Sequence, residues 1–261
     1  MKQSKLWAAA CAALFLLTPG LKAQPQADEV PFDETPAPWE RRIHLGVRGG
    51  LNLAKLGGSN AYEEHDLSNK TGFHVGIIAD VPLRVPGLWL QPGVYLSAKG
   101  TKAVLEETET YGNQQNYRRE EQNMRMLFVE VPVLVSYHYD LGSEVQLQVS
   151  TGPYFAYGVD GKTSIDWERS ETMFGNTFYT SGLTETKTFK YDAEAEAQED
   201  RGAGMKRFDM GWNIGAGISF KQIYLGLSYE LGFLNLCDEA AWGDDASLRT
   251  RTLQVSVGYS F

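Results

Sequence analysis

The sequence predicts an all-β protein: an eight-stranded antiparallel transmembrane β-barrel, preceded by a cleavable signal peptide. Three observations predict this fold class. The chain opens with an apolar segment typical of an export signal, and most of the remainder alternates apolar and polar residues with a period of two. The connections between the alternating segments are long and short in turn, as in outer-membrane barrels.

The N-terminus has the order of a secretory signal. Lys2 and Lys5 precede an apolar run over residues 6–17, and small residues lead up to Ala23. The run has 12 residues, fewer than the ~20 that a spanning helix needs. We therefore predict a signal peptide over residues 1–23, cleaved after Ala23.

Composition excludes several function classes. Cleavage after residue 23 would remove three lysines and change the net charge from −9 to −12, which argues against nucleic acid as a partner. Of the two cysteines only Cys237 would remain, so no intramolecular disulfide could form. Nothing in the sequence suggests a cofactor, a metal site or thiol chemistry.

The chain after the predicted cleavage site divides into two parts. Residues 24–42 are rich in proline and acidic residues without an apolar period, which predicts a disordered periplasmic segment. Residues 43–261 form the predicted outer-membrane barrel domain. Its eight alternating segments are 43–53, 72–81, 88–102, 127–139, 145–159, 208–220, 223–236 and 249–261. Each has one apolar face, predicted to contact lipid, and one polar face, predicted to line the interior.

The connections set the predicted orientation. Between successive segments they have 18, 6, 24, 5, 48, 2 and 12 residues. Because the long loops of outer-membrane barrels are extracellular, we assign 54–71, 103–126, 160–207 and 237–248 to the outside and both termini to the periplasm. Pro92, Pro132 and Pro153 fall within strands and lack an N–H for the ladder, so we expect bulges at these positions.

Several short pieces resemble an outer-membrane barrel family common in the Bacteroidota, known as PorT-like or "porin family" proteins of the OmpA/OmpX barrel type. The pieces run from strand one to strand eight and leave out the long loops. They are Gly46-Val47-Arg48-Gly49-Gly50-Leu51-Asn52-Leu53-Ala54, Leu90-Gln91-Pro92-Gly93-Val94-Tyr95 with Lys99-Gly100, Val129-Glu130-Val131-Pro132-Val133-Leu134, Gly152-Pro153-Tyr154, Asp209-Met210-Gly211 with Gly215-Ala216-Gly217, and Gly258-Tyr259-Ser260-Phe261.

The resemblance implies an eight-stranded barrel whose last strand, through Tyr259 and Phe261, is read by the barrel assembly machinery. It supplies no catalytic residue and no substrate. The family's namesake is associated with protein secretion across the envelope, so a secretion-accessory role is an expectation from the resemblance alone.

Charged residues on the inward faces are the main candidate site. An eight-stranded barrel is just wide enough for its side chains to fill, and an unpaired buried charge is costly. We therefore expect these residues to form a salt-bridged plug rather than an ion or proton pathway. They are Arg48, Asp80, Lys99, Glu130, Asp209 and Glu230.

An enzyme is the less favoured alternative. His65, Asp66 and Ser68 lie close together in the sequence, but their segment matches no catalytic motif, so we expect no enzymatic activity.

The connection 160–207 mixes aromatic residues with an acidic tract, and loops of this length are functional or disordered. Alternation over residues 184–191 suggests that the neighbouring strands continue above the membrane as a hairpin.

Two functions remain open at this point. One is a non-catalytic envelope protein that acts through its structure or its surface loops, with an extracellular or envelope partner bound by residues 160–207. The other is a narrow channel for small solutes or ions. We favour the first, as a monomer in outer-membrane lipid.

Overall fold

The computed structural model describes residues 42–57, 66–112, 114–142, 144–173, 176–189, 194, 196, 202–242 and 246–261. The predicted signal peptide, nearly all of the predicted periplasmic segment, and His65 lie outside these residues. The described strands are β1 (His44–Gly57), β2 (Asp66–Pro82), β3 (Leu88–Tyr111), β4 (Gln114–Gly142), β5 (Val145–Met173), β6 (Asn176–Lys187), β7 (Phe208–Phe220), β8 (Ile223–Gly232) and β9 (Arg249–Ser260). A short helix, α1 (Glu239–Trp242), lies between β8 and β9.

Eight of these strands close into a ring. Their antiparallel order around the ring is β1, β2, β3, β4, β5, β7, β8 and β9, and β9 pairs back onto β1 from Gly46↔Ser260 to Gly57↔Arg249. The predicted eight-stranded barrel is therefore confirmed. The ninth strand, β6, lies outside the ring and shares an edge of β5 with β7: β7 pairs with residues 145–157 of β5, and β6 pairs with residues 162–173.

The side chains alternate between the outside and the interior as the period of two predicts. Leu51 and Leu53 point outward and are exposed, whereas Asn52 between them is fully buried. The same alternation holds for the apolar and polar sets of the other ring strands. Most of the large exposed aromatics of the ring lie toward the two ends of the barrel: Phe73, Tyr157, Phe208 and Phe233 at one end, Tyr137, Tyr139, Phe220, Tyr259 and Phe261 at the other.

The two ends of the ring differ. At one, which we call the turn end, β2–β3, β4–β5 and β7–β8 are joined by short connections at 83–87, 143–144 and 221–222. Gly87, Gly142, Glu144 and Lys221 have positive φ angles in these turns. Within the described residues no helix is long and apolar enough to cross a membrane.

At the opposite end, which we call the sheet end, the strands extend well beyond the predicted segments. Residues 103–126 were predicted as a loop, but they are the ends of β3 and β4, paired from Ala103↔Gln122 to Tyr111↔Gln114. In 160–207 only one of the two flanking strands continues as the alternation suggested: β5 extends to Met173, but it pairs there with the separate strand β6, and β7 begins only at Phe208. Four strands thus form a sheet that projects from the barrel, the projecting sheet: residues 103–111, 114–126, 162–173 and 176–187. The prediction failed because both faces of this sheet carry polar residues, which removes the contrast that marks a lipid-facing strand.

The prediction of bulges at the prolines was wrong. The β2–β3, β3–β4 and β4–β5 ladders each lack two residue pairs beside these prolines, but the register is the same before and after each gap. The β5–β7 ladder continues through Pro153 without interruption. Neighbouring glycines allow close backbone contact at the gaps, because a Cβ on Gly152 would lie 2.3 Å from the carbonyl oxygen of Val133. The register shifts lie elsewhere, at Asn69/His74, Leu127/Phe128 and Asp140/Gly142.

Candidate functional site: a closed lumen and a projecting sheet

Three of the six inward charges meet in one cluster, the ion triad. Lys99 Nζ of β3 lies 2.6 Å from Glu130 Oε2 of β4 and 2.7 Å from Glu230 Oε2 of β8, on the far wall of the barrel. All three side chains are at most 3% exposed. Asn213 Nδ2 also donates to Glu230 Oε1 at 3.3 Å. The triad therefore spans the lumen and joins opposite walls.

The other three charges have separate partners. The Arg48 guanidinium lies 3.8 Å from the centre of the Tyr224 ring, and Asp80 Oδ1 accepts a hydrogen bond from Gln91 Nε2 at 2.6 Å. Asp209 accepts hydrogen bonds from the Thr250 hydroxyl at 2.6 Å and from the Tyr154 hydroxyl at 3.2 Å. All six predicted residues thus lie in the interior, but only three of them form a single ionic cluster.

Between Arg48 and the ion triad the lumen holds a small cavity. Its volume is about 40 Å³, and its lining includes His74, Tyr95 and Gln254. At roughly 10–15 Å³ for each water, this space suits a few water molecules but not a solute. His74 is hydrogen-bonded on both ring nitrogens, to Asn52 Oδ1 at 2.7 Å and to Ser256 Oγ at 2.9 Å.

Above the triad, toward the sheet end, an apolar cap closes the lumen. The barrel wall contributes Leu56, Met124, Met126, Phe128, Tyr154 and Ala156, and the connecting segments contribute Phe189, Met205, Leu236, Cys237, Ala246 and Leu248. Lys99 Nζ lies 4.8 Å from the centre of the Tyr154 ring and 5.9 Å from that of Phe128, so cap and triad are in contact. Sequence reasoning missed the cap, because the connecting segments have no periodicity.

One side chain ties the connecting segments of the cap together. Asn235 Oδ1 accepts hydrogen bonds from the backbone N–H groups of Cys237, at 3.1 Å, and Leu248, at 2.9 Å. Its Nδ2 donates to the carbonyl oxygen of Ala246 at 2.8 Å. A single amide therefore holds together the two ends of the β8–β9 connection.

The two predicted assembly residues lie on the outer surface at the turn end. Tyr259 and Phe261 pack edge to face with ring centres 5.2 Å apart, and Phe261 N donates to the Leu45 carbonyl at 2.8 Å. Phe261 also lines an outward-facing apolar groove of about 400 Å³ with residues of β1, β2, β3 and β4. The last strand thus ends in an apolar surface that would contact lipid.

In the projecting sheet, β6 is an edge strand. It pairs with β5 and, in the described part of the chain, with no other strand. Thr188 N donates to Gly161 O, toward β5, and Lys187 O accepts from Ala203 N on the other side. Because alternate residues of an antiparallel strand direct their backbone groups to the same side, the odd-numbered residues 177–185 point N–H and C=O away from β5.

The edge strand also carries exposed apolar side chains. Phe178 is 64% exposed, Tyr179 81% and Leu183 59%, far from the lipid-facing band. Next to them, the Trp167 indole lies over Gly182, where a Cβ would come within 2.6 Å of the ring. Other residues of the projecting sheet form ion pairs at its surface, such as Arg119–Glu106 and Arg118–Glu120. Apolar surface on such a sheet is typical of an interaction site.

No group of three or more His, Cys, Asp or Glu residues that could hold a metal ion occurs in the described residues. Ser68 and Asp66 lie in β2, and the Ser68 hydroxyl donates to the Lys102 carbonyl at 3.4 Å.

A closed antiparallel ring with apolar side chains outside and polar side chains inside defines a transmembrane β-barrel. The chain belongs to the family described as "Outer membrane protein beta-barrel domain", whose model matches residues 23–238. No curated protein sequence shows a significant match.

Several solved structures are similar to this chain. Neisserial surface protein A is 13% identical, with 83% of this chain and 97% of that chain covered and a TM-score of 0.35. The attachment invasion locus protein Ail of Yersinia pestis is 13% identical, with 84% and 98% covered and a TM-score of 0.32. An outer membrane channel of Pseudomonas putida F1 is 10% identical, with 84% and 95% covered and a TM-score of 0.27.

Proposed function

We propose that this outer-membrane barrel is a non-catalytic surface protein whose projecting sheet binds an extracellular or envelope partner along the edge of β6. The observation that carries the proposal is an edge strand with outward-pointing backbone groups beside exposed aromatic side chains. A partner segment can add to such an edge as a further strand, with backbone hydrogen bonds for affinity and side-chain contacts for specificity.

The proposal includes an orientation in which the sheet end is extracellular and both termini are periplasmic. The polar projecting sheet needs water on both faces, and long extensions of outer-membrane barrels lie on the cell surface. Protease added to intact cells is then expected to cut the chain between 174 and 202 and to spare the connections 83–87 and 143–144. Cleavage of the short turns with protection of the sheet would reverse the orientation.

The lumen favours this function over a narrow channel. The ion triad crosses the barrel and the apolar cap lies directly above it, while the cavity below is only about 40 Å³. A permeating ion would have to pass both obstacles. The narrower resemblance to PorT-like proteins of the Bacteroidota, and with it a secretion-accessory role, stays a prediction.

Ser181→Pro tests the edge directly. Ser181 is an odd-numbered residue of β6, so proline there removes an N–H that points away from β5 and leaves the β5 ladder intact. We expect a photo-crosslinker at Tyr179 on intact cells to capture a defined partner in the unmodified protein, and the capture to be lost in Ser181→Pro.

Ser181→Ala is the matched control, because it keeps the backbone N–H, and it should capture the partner normally. Both variants should form the same heat-modifiable barrel. Equal capture by Ser181→Pro and Ser181→Ala would rule out strand addition at this edge.

A further inference from the structure

Three basic residues stand side by side on the outward face where the projecting sheet leaves the barrel. Arg125 of β4 is the register partner of Lys162 in β5, and Lys162 is the register partner of Lys187 in β6. All three are exposed. Like charges directly opposite each other across strands destabilise a sheet, so an anion bound between these residues would stabilise this arrangement.

Lys70 of β2 extends the row on the other side. The register partner of Arg125 in β3 is Gly100, and the Lys70 side chain crosses it, with Cδ 2.9 Å from where a Gly100 Cβ would lie. Lys70 Nζ donates to the Met124 carbonyl at 3.2 Å. Burial, and to a smaller extent the charge of Arg125, lowers the pKa of Lys70 to about 8. We call Lys70, Arg125, Lys162 and Lys187 the basic row.

Acidic residues near the row neutralise only part of it. Glu185 Oε2 lies 2.6 Å from Lys162 Nζ, and exposed Asp160 is the register partner of Leu127, just below the row. In the described part of the chain, neither Arg125 nor Lys187 is within ion-pair distance of a carboxylate. The row therefore keeps a positive excess.

The row lies at the level of lipid headgroups. Arg125 is two residues above Leu127 and four above the lipid-facing Val129 on the same face, and two strand residues span about 7 Å. The headgroup layer on each side of the hydrocarbon is roughly 5–8 Å thick. On the far side of the barrel, Lys55 and Arg251 form a like-charged register pair just above Leu53↔Leu253, at a comparable height.

We propose that the basic row binds the phosphate groups of an anionic glycolipid in the leaflet around the base of the projecting sheet. A lipid fits better than a soluble anion, because the outward face below Arg125, at Leu127 and Val129, is apolar and can contact acyl chains while the row binds the headgroup. Phosphate bridging of Arg125, Lys162 and Lys187 turns their mutual repulsion into attraction to one ligand. This site is independent of the partner proposed for β6.

The test uses the purified full barrel in detergent micelles and native mass spectrometry to measure affinity. The probes are lipid A with two phosphates, lipid A with none, and inorganic phosphate. The test variant combines Arg125→Gln, Lys162→Gln and Lys187→Gln, and leaves Lys70 in place because it packs over Gly100.

The matched control also removes three exposed cations: Arg118→Gln, Arg169→Gln and Lys221→Gln, two from the other face of the sheet and one from the turn end. Heat-modifiable migration verifies that each variant is folded. If the triple variant fails to fold, Lys187→Gln alone, at the exposed end of the row, replaces it.

We expect the affinity for diphosphorylated lipid A to fall by on the order of tenfold to a hundredfold in the triple variant and to stay unchanged in the control. Lipid A without phosphates should bind weakly to every form. Equal affinity in test and control variants, or equal binding of both lipids, would overturn the proposal. Displacement of the lipid by millimolar inorganic phosphate would also overturn it, because the site would then be one for soluble anions.

Discussion

At the residue scale, the ion triad joins opposite walls of the barrel, because Lys99 of β3 pairs with Glu130 of β4 and with Glu230 of β8. Inward positions followed directly from the period of two, so the location of Lys99, Glu130 and Glu230 in the interior could be predicted. Which charges meet could not be, because that depends on the stagger between strands that are far apart in the chain, such as β3 and β8. Asp209 was predicted to belong to the salt-bridged plug, but its carboxylate accepts hydrogen bonds from the hydroxyl groups of Thr250 and Tyr154.

Replacing Glu130 tests what the triad contributes to stability. Glu130→Ala removes a carboxylate 2.6 Å from the buried Lys99 ammonium. Glu230 still pairs with Lys99 in this variant, so we expect a loss below the about 3–5 kcal/mol typical of a buried charge left alone, measured as a lower unfolding temperature. Glu120→Ala is the control, because its exposed pair with Arg118 contributes about 0–1 kcal/mol. Equal unfolding temperatures for both variants would contradict a stabilising triad.

Asn235 gives a second test at this scale, with Cys237 as the reporter. Burial raises the pKa of the Cys237 thiol to about 11, so little thiolate is present at pH 8 and alkylation of the native protein should be slow. Asn235→Ala removes three hydrogen bonds that hold the cap segments. We expect a severalfold faster reaction of Cys237 with maleimide at pH 8. Ser247→Ala, in the same β8–β9 connection, is the control and should leave the maleimide reaction rate of Cys237 unchanged. An equally faster reaction in Ser247→Ala would show that the loosening is not specific to Asn235.

At the scale of elements, the lipid-facing parts of the strands were predicted, whereas the water-exposed parts in the projecting sheet were predicted as loops. β7, which lies wholly within the ring, was predicted with its observed bounds, whereas β4 was predicted to begin at Leu127 and begins at Gln114. The inward residues Met124, Met126 and Phe128 continue the alternation upward and were the one available signal. In this part of β4 the apolar residues point inward, to the cap, whereas in the lipid-facing segments the apolar residues point outward.

The end of β9 carries a prediction about assembly. Deleting Phe261 removes an exposed aromatic side chain and the hydrogen bond that its N–H donates to Leu45. We expect less heat-modifiable barrel in outer-membrane fractions at equal synthesis. Phe233→Ala removes an equally lipid-facing aromatic from the sheet end and should leave insertion near normal. Similar losses in both variants would indicate a general cost of lost apolar surface and would remove the special role of the C-terminus.

At the scale of the whole molecule, eight strands close into a barrel, and the projecting sheet extends from one of its ends. The lumen is filled in three layers from the turn end: polar residues with the small cavity, the ion triad, and the apolar cap. The number of strands sets the width of the lumen. This number could be predicted from the eight segments that alternate apolar and polar residues. The cap was not predictable, because half of its residues come from connecting segments that have no periodicity.

These layers lead to a prediction about conductance. Eight strands leave room for packed side chains, whereas 16–18 strands open an aqueous path, so the pure protein should show no stable currents in planar bilayers. Glu130→Ala should also stay closed, because the apolar cap above the triad is untouched and an apolar constriction excludes ions by dewetting. A porin recorded under the same conditions verifies that insertion is detected. Reproducible single-channel currents from the unmodified barrel would show that cap and triad open together in the membrane, and the channel would then replace the surface protein as the better account of this fold.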